Sequence, residues 1–398
     1  MDAGSIGLVT APQEVPWPIT PHTAAKHDLY RQYLSKWFPI LVGSWGGRAT
    51  YAEGFAGPGV YTKGEPGSPV IALRTLWDSG LLGTATKRVR LLFVDDDARC
   101  VDWLQRRLEL TAGQRGCTIA DLVGNGVEVE LVRGQCDVEL ELLLDRHDAW
   151  RDPLLVNLDT WGAAVSARLL QRVAETPAGE VIITMGPSYF MRFASVDAYT
   201  HGDLVFGGDH WRAVQSVPSE EKAGWLLQAY RTTVKQAGFR FVLDFTLVDQ
   251  RGQLLYLVFG TTSRKGLVKM KEAMWEVDAV HGVGYRDPRD PDQQTLEIEF
   301  DPVTGPLRRL VLAELARCPA RTATEAELRE FALLETVYKE AQASQGHPRA
   351  YRGRAGPTCG RASARLCGHA AAALTASRPT AGRRASAPQP SECGRPIA

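Results

Sequence analysis

Apolar positions recur along the chain with two periods that follow each other in a regular order. From Met1 to Pro21 prolines are frequent and no period holds, so 1–21 reads as an irregular arm. "HDLYRQYLSKWFPIL" follows, with Tyr30, Tyr33, Leu34, Trp37, Phe38 and Leu41 at helical spacing, which predicts an amphipathic helix packed on a sheet. Five strand-like runs come next: "ATYAEGF", "RVRLLFVD" (Arg88–Asp95), "VEVELVRG" (Val127–Gly134), "PLLVNLD" (Pro153–Asp159) and "EVIITM" (Glu180–Met185). Helix-like segments separate them: "SPVIALRTLWDSGLL", "ARCVDWLQRRLELT", "DVELELLLDR" and "AVSARLLQRVAE". Such alternation implies right-handed crossovers and a doubly wound α/β sheet.

The end of the pattern narrows this. "FRFVLDFTLVD" (Phe239–Asp249) and "LLYLVFGTT" (Leu254–Thr262) are two β-rich runs joined by a short turn containing Gly252, which predicts an antiparallel hairpin. A Rossmann-like parallel sheet ending in such a hairpin is the architecture of class I S-adenosylmethionine methyltransferases, whereas a dinucleotide fold continues with crossover helices. Gly186–Gly238 lies between the fifth strand and the hairpin; its largely helical pattern reads as an insertion that covers a substrate site. From Thr304, "TGPLRRLVLAELARCPARTATEAELREFALLETVYKEA" predicts two or three further helices. The expected organisation is an arm (1–21), a methyltransferase-like domain (22–303), a helical segment (304–345) and a disordered tail (346–398).

Composition adds little until the tail is set apart. Nine of the 46 basic residues and one of the 46 acids lie in 346–398, so the remainder carries a charge of about −8. That argues against strong non-specific attraction to phosphate backbones, although a local basic groove stays open. "MDAGSIGLVT" does not resemble a secretory leader, and no run of about 18 apolar residues exists, so neither export nor a membrane span is expected. Seven cysteines without a C-x-x-C pair suggest free thiols, no metal site and a cytoplasmic setting.

The candidate chemistry sits at strand ends. In "EGFAGPG" (Glu53–Gly59) a strand must give way to a helix while the backbone passes close to a ligand, which glycine permits. Class I methyltransferases write this turn as acid-x-x-x-G-x-G. Glu53, Phe55, Gly57 and Gly59 are therefore candidate contacts to S-adenosylmethionine; a purely structural turn is the alternative. Asp95 closes the second strand, where an acid accepts both ribose hydroxyls, while Asp96 and Asp97 read as caps. Asp137 after the third strand either reaches the adenine amino group or caps a helix. The fourth strand ends in "NLDTWG", where base-modifying amino-methyltransferases carry [DNS]-P-P-aromatic. Asp159 and Trp161 keep the acid and the ring of that motif without its prolines, and are the candidate catalytic pair. C5-cytosine methylation lacks its Pro-Cys dipeptide, and His22 and His27 do not form a metal-ligand spacing. Lys265 and Lys269 either steer an anionic substrate or line a solvated helix face. Ser68 and Pro69 read as the cap and first position of the next helix.

"KHDLYRQYLSKWFPIL", "YAEGFAGPGVYTKGEPGSPVIAL", "VFGGDHW" and "LLYLVFGTTSRKGLVKMKEAMWEVD" together resemble the three-Cys-motif partner protein (TcmP) family over about residues 22–345. The resemblance implies a methyltransferase-like Rossmann domain followed by a winged-helix domain. It further implies a partner, the three-Cys-motif protein, which is similar to radical-SAM iron–sulfur proteins. It leaves open a nucleic-acid or protein methyl acceptor, a non-catalytic partner module, and a nucleic-acid-binding regulator. Two departures stand out. The fourth-strand D-P-aromatic-G has become Asp159-Thr160-Trp161-Gly162. After "ELREFALLETVYKEAQASQ" the expected recognition helix and wing are replaced by an Arg/Ala/Gly/Pro-rich sequence, whose composition also fits out-of-frame reading of GC-rich DNA.

Overall fold

The computed structural model describes residues 14–83, 87–160, 165–286, 303–317 and 323–344. In chain order the elements are α1 (Pro21–Ser44), β1 (Arg48–Gly54), α2 (Ser68–Asp78), β2 (Arg88–Asp95), α3 (Ala98–Gly113), β3 (Val127–Arg133) and α4 (Cys136–Arg146). β4 (Leu154–Leu158), α5 (Ala167–Ala174), β5 (Glu180–Met185), α6 (Pro187–Phe193), α7 (His201–Phe206) and α8 (Lys222–Gln236) come next. The described part closes with β6 (Phe241–Val248), β7 (Leu254–Thr261), α9 (Arg264–Val277), β8 (Gly284–Arg286), α10 (Gly305–Arg317) and α11 (Glu325–Glu335).

The eight strands form one sheet in the order β3-β2-β1-β4-β5-β7-β6-β8. Strands β1 to β5 pair in parallel; β7 alone runs against both of its neighbours, and the short β8 adds parallel to β6. This mixed α/β sheet has the terminal antiparallel hairpin expected from Phe239–Thr262. Alternation along the strands divides two apolar faces. Ala52, Leu92, Val156 and Val181 turn toward α4, α5 and the helices of 186–238. Tyr51, Leu91, Phe93 and Leu155 turn toward α1, α2, α3 and α9.

Within 186–238 a cluster of rings fills the first face. Phe206 stacks on Trp211 at 5.9 Å, and Phe190 meets Phe206 edge-on at 5.0 Å. Helix α1 starts at Pro21, six residues before the run first read as helical, and packs along α2 and α9. α10 and α11 share a separate small core with Trp275 of α9. Lys271, buried on α9, donates to the carbonyls of Tyr338 (3.2 Å), Leu333 and Thr336, and so closes the C-terminal end of α11. The residues expected to form a recognition helix, a wing and a disordered tail, 346–398, lie outside the described residues.

Among the described residues no helix is long and apolar enough to cross a membrane. Nor do three or more His, Cys, Asp or Glu side chains there gather as metal ligands would.

Candidate functional site

The parallel strands β1, β2 and β4 end together, and the first turns of α1 lie across them. Crevices at the carboxyl ends of parallel strands are where open α/β sheets bind ligands. The turn after β1 is held by main-chain bonds: the N–H groups of Phe55 and Ala56 both donate to the Val94 carbonyl at 2.9 Å. Phe55 has φ +83°, unusual for a residue with a β-carbon, and is packed against the sheet's first face. Gly57 (φ +65°) and Gly59 (φ +68°) follow in the left-handed region. A β-carbon on Gly59 would come within 2.6 Å of Leu104 Cδ1, whereas one on Gly57 would meet only Trp17 Cη2, at 3.8 Å.

Asp95 fastens this turn to β2. Its Oδ2 accepts the Gly57 N–H at 2.7 Å and its Oδ1 accepts the Asp97 N–H at 3.0 Å. Burial, opposed by those two bonds, raises its pKa above the usual carboxylate value. Each oxygen retains a lone pair for a further donor. Asp97 caps α3 through the Arg99 N–H at 2.8 Å.

Glu53 is fully buried and points to the α1 side of the sheet. Tyr51, two residues back on the same face, donates to Glu53 Oε1 at 2.7 Å, and Ser68 donates to Oε2 at 2.7 Å. Ser68 therefore does not cap α2; Gly67 is the N-cap, and the Ser68 hydroxyl is turned inward to the acid. Burial pushes the Glu53 carboxyl up to about 8, against the pull of the two hydroxyls, with the Asp159 carboxylate adding to the rise. Both Glu53 oxygens are thus gripped by hydroxyls, and its burial favours the neutral form.

Asp159, just past β4, forms an ion pair with Lys26 of α1, whose side chain is almost fully buried. Burial opposes its ionisation, but the Lys26 ammonium holds Asp159 below the ordinary carboxylate range. Beside it burial and the Lys26 charge hold His27 neutral, its pKa drawn down to about 3. The His27 ring lies 5.5 Å from that of Tyr61, and Tyr61 lies edge-on to Trp17 at 6.3 Å. Trp161 lies outside the described residues.

Around these groups several buried polar atoms lack a hydrogen bond: His27 Nδ1, Asn157 Oδ1, the Tyr30 hydroxyl, Asp159 Oδ1 and Thr184 Oγ1. Thr184 stands next to both Tyr30 and Asp159, and a small side-chain adjustment would bond its hydroxyl to either. Buried polar atoms are seldom left unmet, so water or a polar ligand is expected to complete the bonding of His27 Nδ1 and Asn157 Oδ1.

Asp137 stands further out. It is the second residue of α4 rather than its N-cap, which is Gln135, and its Oδ1 takes the Ser166 N–H at the start of α5 at 3.3 Å. Lys269 pairs with Glu272 one turn along α9, and Lys265 is exposed. The structure thus gathers Glu53, Phe55, Gly57, Gly59, Asp95 and Asp159, and ties Asp137 to the neighbouring α4–α5 junction. Sequence reasoning missed Lys26, His27, Tyr30 and Tyr51. The signal was present: Lys26 falls on the same helical stripe as Tyr30, Tyr33 and Trp37, and Tyr51 shares a strand face with Glu53.

No family model and no curated protein sequence matches the chain. Among solved structures it is similar to EvdMO1 (12% identity, 60% of this chain and 42% of that one, TM-score 0.31). It is also similar to spermidine synthase in complex with the transition-state analogue AdoDATO (9%, 61% and 60%, 0.32). A third is the O-methyltransferase TomG from Streptomyces achromogenes in complex with SAM (11%, 63% and 93%, 0.31). The chain spans about two fifths of the first and three fifths of the second. Overlaps of this size add nothing to the sheet's own strand order.

Proposed function

We propose that this chain is an S-adenosylmethionine-dependent, methyltransferase-like protein of the three-Cys-motif partner kind, acting on a nucleic-acid or protein acceptor. The observation that carries the reading is the turn at Glu53–Gly59. Its two left-handed glycines leave backbone without β-carbons, and Asp95 pins it while keeping lone pairs free. These residues fit the cofactor. Gly57 and Gly59 would let the main chain pass under its methionyl and ribosyl parts, Asp95 would accept the ribose hydroxyls, and Asp137 is the candidate nearest an adenine edge. When bound, the cofactor supplies an already activated sulfonium methyl, so the protein's share is orientation and exclusion of water. Asp159, kept ionised by Lys26, and Trp161 are the candidates for orienting the acceptor.

Titration calorimetry with S-adenosylmethionine tests this on the intact protein and on Gly57→Ala, which adds a methyl group to the cradle where only Trp17 is near. Saturable binding by the wild type, weakened at least tenfold in a folded Gly57→Ala, supports the reading. No binding by the folded wild type removes it.

A second reading has its own observation. Asp159 is committed to Lys26, and the prolines that stiffen an amine-acceptor loop are missing, which suits a partner module that keeps the ligand site without catalysis. The three-Cys-motif protein would then be the obligate partner, with 304–345 as the start of a winged-helix segment. Cofactor binding with no methyl transfer to nucleic acid or to that partner favours this version.

A further inference from the structure

An open groove of about 430 Å³ lies between α1 and α2, beside the loop that continues from the glycine turn; Pro66 of that loop forms part of its wall. Residues 1–345 carry a charge of about −8, yet the groove is lined by two arginines against one acid. Arg31 of α1 and Arg74 of α2 line it together with Ser35 and Thr75. Behind Arg74 stand Arg107 and Arg115 of α3. Burial first, and then the nearby Arg107, lower the pKa of Arg74.

The local acids are already engaged. Asp28 pairs with Arg31, and Asp78, which also lines the groove, is held by Arg115 Nη2 at 2.7 Å. Among the described residues no carboxylate lies within ion-pair distance of Arg74 or Arg107. Arg107 gives one N–H to the Gly64 carbonyl at 3.2 Å, while its buried Nε has no partner. Asp78, four residues on from Arg74, offsets part of the repulsion between Arg74 and Arg107, and an anion in the groove would relieve the rest. The flat guanidinium fork matches two oxygens of a phosphate at once.

We propose that the α1–α2 groove binds a phosphate group, with Arg74 as its main ligand and Arg107 behind it. The groove has the volume of a small-ligand site. The phosphate belongs either to a small phosphorylated molecule or to a nucleic-acid backbone; the chemistry of recognition is the same. This site stands on residues other than those of the glycine turn, so it holds or falls independently of the cofactor reading. It shares α1 with the polar cluster, since Arg31 follows His27 by one helical turn.

The test is calorimetric titration of the full chain with pyrophosphate and, separately, with a single-stranded octanucleotide at about 50 and 200 mM salt. Pyrophosphate binding that weakens at least tenfold in Arg74→Ala, and partly recovers in Arg74→Lys, supports the site with a small phosphate as its natural occupant. If the octanucleotide also binds, loses affinity with salt and loses it again in Arg74→Ala, the backbone phosphate is the occupant. If the wild type binds neither probe, or Arg74→Ala binds both as well as the wild type does at an unchanged thermal midpoint, the proposal is overturned. Should Arg74→Ala fail to fold, Arg107→Gln carries the same test with the same outcomes.

Discussion

Two buried glutamates sit at opposite ends of the sheet, and they are built almost alike. Glu53, at the finish of β1, takes hydroxyls from Tyr51 and Ser68. Glu180, at the start of β5, takes them from Tyr33 at 2.6 Å and Thr261 at 2.8 Å. Burial raises both carboxyls, Glu53 to about 8 and Glu180 to about 7. Their surroundings differ. Around Glu180 the packing is closed: a β-carbon on Gly266 would lie 2.0 Å from its Oε1. Around Glu53 lie two left-handed glycines, a strained Phe55 and a group of unmet polar atoms. A buried acid is therefore not by itself a functional sign, since the same grip can tie a sheet end to a helix. What distinguishes the Glu53 end is the turn beside it, where Gly57 and Gly59 leave backbone without β-carbons at the carboxyl ends of the parallel strands.

Four experiments would break or sharpen that contrast. The largest effect is expected from Lys26→Met, which strands the Asp159 carboxylate. Removing one partner of a largely buried pair costs about 3 kcal/mol, and the Lys26→Met/Asp159→Asn double variant should recover more than half of it in denaturant unfolding. A single-variant loss no greater than that of the double would mean the pair is only a surface contact.

Next, Glu180→Ala should cost about 2–3 kcal/mol in the same measurement, because it leaves the Tyr33 hydroxyl buried and unpartnered. Ligand affinity should stay within twofold. A large drop in S-adenosylmethionine affinity would instead place both ends of the sheet in one functional unit.

The third concerns pH. A carboxyl whose folded pKa lies above its unfolded value favours the folded state fully below the unfolded pKa, near 4.5. That advantage is lost as pH rises through the folded value. Relative to Glu53→Gln, which shares the opposing contributions of His27 and Lys271, the stability of the wild type should therefore fall from about pH 5 to pH 8 by at most about 1.4 kcal/mol per pH unit. The difference between the two proteins should level off near pH 8, where Glu53 ionises in the folded state. An unchanged slope would show that Glu53 is already ionised in the folded protein.

The smallest effect is that of Gly57→Ala on stability. At φ +65° with only an ordinary contact to Trp17, it should lower stability by about 1 kcal/mol while removing most ligand binding. A loss above 3 kcal/mol would mean that the turn is a structural knot with no space held for a guest.

Much of the sheet was legible from the chain. Arg88–Asp95 and Glu180–Met185 coincide with β2 and β5 because each is a short apolar run bounded by polar residues or glycine. The hairpin was legible from two β-rich runs and Gly252 (φ +74°) between them. The site was legible only where one segment suffices, as at Gly57 and Gly59. Lys26 reads as a surface charge until its partner, 133 residues later, is folded beside it. Ser68 has every local mark of a cap, and the demand of Glu53 for a second donor overrides that preference. The left-handed Phe55 has no residue signal at all, because its conformation is imposed by two N–H groups converging on one carbonyl of the neighbouring strand.

Helix α1 is bound to both ends of the sheet, through Lys26 to Asp159 and through Tyr33 to Glu180, contacts that span 133 and 147 residues. A ribosome makes this helix before the strands it anchors to, and neither anchor exists until β4 and β5 have been synthesised. Helix α1 is thus seated only after the sheet it packs on, carrying exposed rings meanwhile, and the crevice it roofs can close only late in assembly.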